Sequence, residues 1–577
     1  MKKKLLPALI VTGLIILVVI IMGITALINK YTPTKKTEDL KEYFNISSDD
    51  EAALIVDNEL SDYKAKIIDK KIYVDYKFVH DSLNSRFYWD ANENVLLYTT
   101  ESDIISAAAD SNSYSVTKQT NDFGYPIVKA TSDSALIALD YVKQYSNITF
   151  KSYDDPARIV ITSKWDEIDS ATVSKSTQVR VKGGIKSPIL KEVKKDDKIT
   201  ILDSGDKWDK VATEDGVIGY IKRKALSESK KTKLTNPDYE EETFTHIKKD
   251  KDICLAWNQV TSQSANSKVP QVISSTKGIN VMSPTWFYLN DNNGNLADIA
   301  SKDYVSYCHS QGIEVWGLFS NLENTDVDAA YVLTHTSTRT TLINQIMSAA
   351  FNYELDGVNI DFENITEAAY GDSYIEFIRE LSIKCHNNGI SLSVDVTVPA
   401  SFNKFFNRSD MAKFADYIVI MGYDEHYKGS DAGSVSSIPW VTEGVESTLK
   451  EVPADQIILG MPFYTRIWEL TPKEDDDAVT DTEDQSKYTV ASQVYSMDAA
   501  AAQLATNNAT AALDEESGQN YAEWSASNKL YKVWLEDSTS LEKRLKLVDD
   551  NKLAGAAFWK LGFENSSVWD TVIKYLD

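Results

Sequence analysis

Asp356-Gly357-Val358-Asn359-Ile360-Asp361-Phe362-Glu363 is the stretch on which the reading of this 577-residue chain turns. In an extended segment successive side chains point to opposite faces. Val358, Ile360 and Phe362 then share an apolar face, while Gly357, Asn359, Asp361 and Glu363 share the other. A strand of a parallel barrel has this character, with its outer face on helices and its inner face ending in a site. An edge strand with a solvated polar face satisfies the same alternation, so the surrounding sequence decides between them.

From about residue 250 onward, strand-like runs alternate with amphipathic helical stretches, the pattern of βα units around a parallel sheet. The strand candidates are Ile253–Trp257, Ile279–Pro284, Ile313–Phe319, the opening stretch, Leu392–Thr397, Tyr417–Met421, Ile457–Pro462 and Ala554–Trp559. Helices are expected from Thr338 to Asn352, across Ile375, Phe377, Ile378 and Leu381, and from Val568 to Leu576. Eight units predict a (β/α)8 TIM barrel over 250–577 with an α+β insertion at about 470–533. The insertion holds a helix from Met497 to Thr506 and the acidic run Glu474-Asp475-Asp476-Asp477, either a cation site or a solvated loop. Barrel chemistry sits where strands end at the C-terminal face. The fourth strand ends at Asp361-Phe362-Glu363, the sixth at Met421-Gly422-Tyr423-Asp424, the seventh at Tyr464-Thr465-Arg466 and the eighth at Trp559. Carboxylates and aromatic faces converging on one rim suit a sugar: acids for the glycosidic bond, rings for pyranose stacking.

The rest of the chain narrows the setting. Lys2, Lys3 and Lys4 precede an uncharged run from Leu5 to Ile28, long enough to span a bilayer. Residues 1–36 are therefore read as a cytoplasmic tip and signal anchor, with everything after it outside the cell. A signal peptide cleaved on secretion is the alternative. Residues 37–168 form an α+β module with a weak internal repeat at an offset of 63 residues. Each half reads as strand, short helix and hairpin. Residues 169–230 carry short alternating strands with Gly and Asp turns, the mark of a small β-barrel. Residues 231–249 are a linker. A net charge of −26 argues against nucleic acid as a partner. Cys254, Cys308 and Cys385 are an odd set without metal-like spacing and are read as buried thiols, with neither a metal nor another cofactor expected.

The barrel resembles the family 18 glycoside hydrolases, the chitinase-like TIM barrels. Asp356 to Glu363 matches their Asp-Gly-x-Asp-x-Asp-x-Glu except at Asn359. Met421-Gly422-Tyr423-Asp424 is similar to their sixth-strand motif, Leu459 to Tyr464 to their seventh, and Trp559 stands where they have a floor tryptophan. The segments Trp534–Ser538 and Leu561–Glu564 further resemble the spore-cortex and cell-wall N-acetylglucosaminidase branch, which also tends to carry Asn in the second acid position. Lys71-Ile72-Tyr73-Val74, Trp89-Asp90-Ala91 and Val95-Leu96-Leu97 resemble the stalk-like module named after copper amine oxidase N-termini; that name implies no copper. Val179-Arg180-Val181, Gly205 to Val211 and Asp215 to Ile221 resemble bacterial Src-homology-3-like domains, for which wall binding and a mere spacer are equally open.

The family resemblance implies substrate-assisted, retaining hydrolysis in which the 2-acetamido oxygen of N-acetylglucosamine is the nucleophile. Glu363 would be the general acid and Asp361 the electrostatic partner of the cation. Tyr423 would hold the acetamido group in line for attack. Asn359, Met421, Asp424, Tyr464, Arg466 and Trp559 would contact the substrate. Asn359 cannot ionise, so it is expected to orient Asp361 by hydrogen bonding and to leave it more readily ionised. Peptidoglycan is the expected substrate, with chitin oligomers and N-glycans as alternatives. A silent glycan-binding wall sensor is the rival from another class. Endo and exo cleavage stay open.

Overall fold

The computed structural model describes residues 5–365, 368–473 and 484–576. Packing divides the chain into two units, one of residues 1–89, 107–114 and 121–241, the other of 90–106, 115–120 and 242–577.

In the first unit a helix runs from Leu5 to Tyr31. Its window Leu9–Tyr31 is long and apolar enough to cross a membrane. A seven-stranded sheet then takes the order 149–153, 158–162, 51–56, 59–68, 71–75, 135–138, 128–130. The two repeat halves meet inside it, since Val74 pairs antiparallel with Ile137. A second seven-stranded sheet is ordered 189–193, 177–180, 218–222, 208–213, 198–203, 167–172, 230–233. The sequence draws a boundary at 168, yet one core crosses it. Phe44, Ala53 and Ile55 pack in a single cluster with Val179, Val211 and Ile221. Arg158 also pairs with Asp215 across the same line, largely out of water. Two modules legible as separate patterns thus share their apolar interior.

The second unit is built on a closed barrel of eight parallel strands: Ile253–Asn258, Val281–Leu289, Glu314–Ser320, Gly357–Asp361, Ser391–Thr397, Tyr417–Met421, Ile457–Pro462 and Gly555–Trp559. The ring closes where the first strand pairs in parallel with both the second and the eighth. All eight lie where the hydrophobic pattern puts them, within a few residues at each end. The opening stretch behaves as its alternation requires. Val358, Ile360 and Phe362 are buried in the layer between strands and helices, with Leu342, Ile346 and Phe377. Inside the barrel, Trp257, Trp316, Leu318, Tyr417 and Val419 fill the lumen.

Gly357 is dictated by this filling. A Cβ there would come within 2.5 Å of the Trp316 ring, and that indole stacks on Tyr417 with centroids 5.6 Å apart. The preceding helix, Thr336–Tyr353, ends on Glu354 in the left-handed conformation at φ 58°. Asp356 then closes the strand's entry rather than joining its polar column. Its Oδ2 accepts from the Val315 amide at 2.8 Å and sits 2.8 Å from His309 Nε2.

After the seventh strand the chain leaves the barrel for a five-stranded antiparallel sheet, ordered 488–496, 464–472, 529–535, 519–526, 512–514. Its helix spans Met497–Thr506. The acidic run 474–477 lies outside the described residues. The three cysteines are buried.

Candidate active site

The fourth strand hands over from barrel to cleft between Asn359 and Glu363. Asn359 is fully buried, and all four of its side-chain hydrogen bonds are spent within the protein. Its Oδ1 accepts from Trp257 Nε1 at 2.9 Å and from Ser283 Oγ at 3.0 Å. Its Nδ2 donates to Ser393 Oγ at 3.0 Å and to Asp395 Oδ1 at 2.7 Å. An indole N–H only donates, so the amide oxygen must face Trp257 and the amide nitrogen must face Asp395. This corrects two expectations. Asn359 touches no substrate, because it lies beneath the cleft, and it does not orient Asp361, because its bonding capacity is used elsewhere.

Asp361 stands one pleat further out. Its Oδ1 is buried with no hydrogen-bond partner. Burial, then the charges of Glu363, Asp395 and Glu323, push its carboxyl well above the usual carboxylate range. One of those acids, Asp395, is carried by the fifth strand and accepts from the Asn359 amide.

Glu363 lies beyond the strand end, where its carboxyl opens to the cleft while remaining crowded by protein. Burial first, then Asp424 and Glu323, raise its affinity for a proton. That is what a general acid working near neutrality requires. Tyr423 is half-buried, and desolvation together with Asp395, Asp361 and Glu363 keeps its phenol neutral. It therefore remains a hydrogen-bond donor. Asp424, at φ 60°, turns its carboxylate back to accept from Tyr464 Oη at 2.6 Å, with Arg466 Nη2 at 3.4 Å. Tyr464 is itself buried, so it supports Asp424 instead of forming the rim contact expected of it. Trp559 packs edge-on against Trp257 with centroids 5.9 Å apart. Met421 lines an apolar recess of about 150 Å³ beside Glu363 and Asp395, walled by Phe362, Ile365, Phe402 and Phe405.

Glu363, Asp361, Tyr423, Asp424, Met421 and Trp559 thus come from three strand ends, the fourth, sixth and eighth, to the face on which the sequence places them. Two acids of the site are absent from that reading. Asp395 lies in Ser393-Val394-Asp395-Val396-Thr397, where polar alternation on a buried strand was the available signal. Glu323 follows the third strand and accepts from Ser320 Oγ at 2.8 Å. It sits in a loop without periodicity. No cluster of three or more potential metal ligands occurs among the described residues.

Residues 324–564 match the family described as Glycosyl hydrolases family 18. The chain carries a family 18 glycoside hydrolase domain. About half of the chain, 49%, is 24% identical to the "Uncharacterized glycosylase YvbX" of Bacillus subtilis (strain 168) over 81% of that protein. A similar 48% is 25% identical to the "Cortical fragment-lytic enzyme" of the same organism. There the match spans 63% of the relative's length. Among solved structures, the spore cortex-lytic enzyme SleL of Bacillus megaterium aligns with 56% of the chain and 74% of its own, at 20% identity and a TM-score of 0.49.

Proposed function

We propose that this protein is a membrane-anchored, extracytoplasmic hydrolase that cleaves β-linked N-acetylglucosamine in peptidoglycan, with retention and with assistance from the substrate's own acetamido group. The observation that carries the reading is the set of groups around Glu363: an acid disposed to hold its proton, a second carboxyl at Asp361 one pleat below, and a neutral phenol at Tyr423. In the proposed reaction Glu363 protonates the leaving oxygen, and the acetamido oxygen closes on the anomeric carbon. Tyr423 holds that oxygen in line, and Asp361 faces the acetamido N–H as positive charge develops. Glu363, now a carboxylate, then takes a proton from the incoming water. Trp559 is the platform under the ring.

The wall as target is supported by the apolar helix 5–31, which would hold the domain near its own envelope, and by relatives whose names refer to spore cortex. A tethered enzyme gains from a substrate within tether reach.

Digestion of purified peptidoglycan and of chitin oligomers by the full-length protein in detergent tests this. Mass spectrometry of the new reducing ends should show N-acetylglucosamine from peptidoglycan, and the size of the products reports endo or exo cleavage. Glu363→Gln should lower turnover by about 10³-fold while glycan binding persists. Binding by the wild type without cleavage of any 2-acetamido glycan would assign the protein to the silent wall-binding class instead.

A further inference from the structure

The fifth strand brings a carboxylate to the place where the fourth strand lacks one. Ile360 and Val394 are register partners in the parallel ladder. One residue further, Asp361 and Asp395 stand side by side on adjacent strands about 5 Å apart, both turned to the inner face. Asp395 is buried, and its Oδ1 is fixed by the amide of Asn359 at 2.7 Å. The Asp395 charge acts on Asp361, whose own Oδ1 is buried and unpartnered. The charged groups acting on the two are acids: Glu363, Asp395 and Glu323 on Asp361, and Glu363 on Asp395. The phenols of Tyr374 and Tyr423 also face both carboxyls. Among the described residues, no cation is among the groups acting on the pair. Two buried carboxyls this close cannot both be ionised at low cost.

We propose that Asp395 is the positioning residue that replaces the missing second acid of the fourth strand, holding one proton jointly with Asp361. With the proton on Asp361, that carboxyl is neutral. Its transfer to the second carboxyl oxygen of Asp395 leaves Asp361 as the carboxylate that faces the acetamido N–H. The transfer breaks one O–H bond and forms another with no net change in charge, so the pair presents negative charge when the substrate turns cationic. Asn359 is then the fixed donor that keeps Asp395 aimed at Asp361. This inference rests on the catalytic reading above, but one of its tests does not need activity.

Asp395→Asn is isosteric and preserves the bond to residue 359. The double variant Asn359→Asp/Asp395→Asn moves the acid back to the fourth strand while keeping the same bond with its direction reversed. Infrared difference spectra of the full-length protein, recorded across pH in a Glu363→Gln background, read carboxyl protons directly. The carboxyl proton absorbing above the ordinary carboxylate range should be lost at least about one pH unit lower in Asp395→Asn and should return in the double variant. With Glu363 intact, Asp395→Asn should lower kcat about 100-fold with KM little changed. The double variant should recover most of that loss. A carboxyl signal that does not move in Asp395→Asn overturns the proposal whatever the kinetics. A double variant as slow as the single one overturns it as well. Failure of the wild type to cleave any 2-acetamido glycan would remove the catalytic reading, while the infrared result would still decide whether the pair exists.

Discussion

At Glu363 a proton is retained by crowding and by two neighbouring charges, Asp424 and Glu323. Each contributes in the same direction, so removing either lowers the proton affinity of the acid. Glu323→Gln should therefore move the alkaline limb of kcat/KM to lower pH, with the plateau rate at acid pH preserved. A pH–rate profile of the variant beside the wild type checks it. Tyr423→Phe removes a donor and leaves the ring, and single-turnover rates should fall about 100-fold without a comparable change in binding. The same residues set the stability profile. Asp361 and Asp395 bind protons more tightly folded than unfolded. Their contribution is thus fully present below about pH 4, the unfolded value, and is lost as pH rises through the folded values. Asp395→Asn should accordingly raise Tm at pH 8 and leave it nearly unchanged at pH 4, read by calorimetry at both. At this scale Glu363, Asp361 and Tyr423 were legible because each ends a strand whose period is plain. Asp395 was hidden by the same logic, as a polar residue on a strand interior looks like a contribution to packing. Glu323 had no strand to place it.

Single elements show why the rest of the pattern was readable. The eight parallel strands are buried on both faces, so each appears as a short apolar run with small or polar residues pointing into the lumen. The fourth strand also carries a steric requirement, since Gly357 abuts the indole of Trp316. Gly357→Ala should cost about 1–3 kcal/mol, measured by urea unfolding, through displacement of that ring from its stack on Tyr417. The insertion illustrates the opposite case. Its helix Met497–Thr506 follows from composition, but the register of its five strands depends on partners far apart in sequence. Where the insertion returns to the barrel, Glu536 and Arg544 form a buried pair, with Gln519 Nε2 donating to Glu536 at 2.8 Å. Burial raises the Glu536 carboxyl to about 7 despite that pairing. Arg544→Leu would strand it, at a cost of about 3–5 kcal/mol in the same unfolding experiment.

For the molecule as a whole, packing and sequence pattern divide the chain differently. Residues 90–106 belong by pattern to the repeat module and by packing to the barrel unit. Thr99 Oγ1 donates to Glu376 Oε1 at 2.8 Å, and Asp90 Oδ2 accepts from the Thr336 amide at 2.7 Å. Such contacts link residues more than two hundred positions apart, and no local periodicity announces them. A fragment beginning at residue 240 should therefore melt several degrees below one beginning at residue 37, compared by the barrel's near-ultraviolet signal. The orientation of Asn359 has a consequence of another kind. The indole of Trp257 locks one amide, and that amide commits the next strand to supplying an acceptor. A signature written along one strand counts this site an acid short; written across the ladder, from 359 to 395, it counts the same number. The unit that bears the chemistry is then a pair of hydrogen-bonded neighbours on two strands, and no reading confined to one strand contains it.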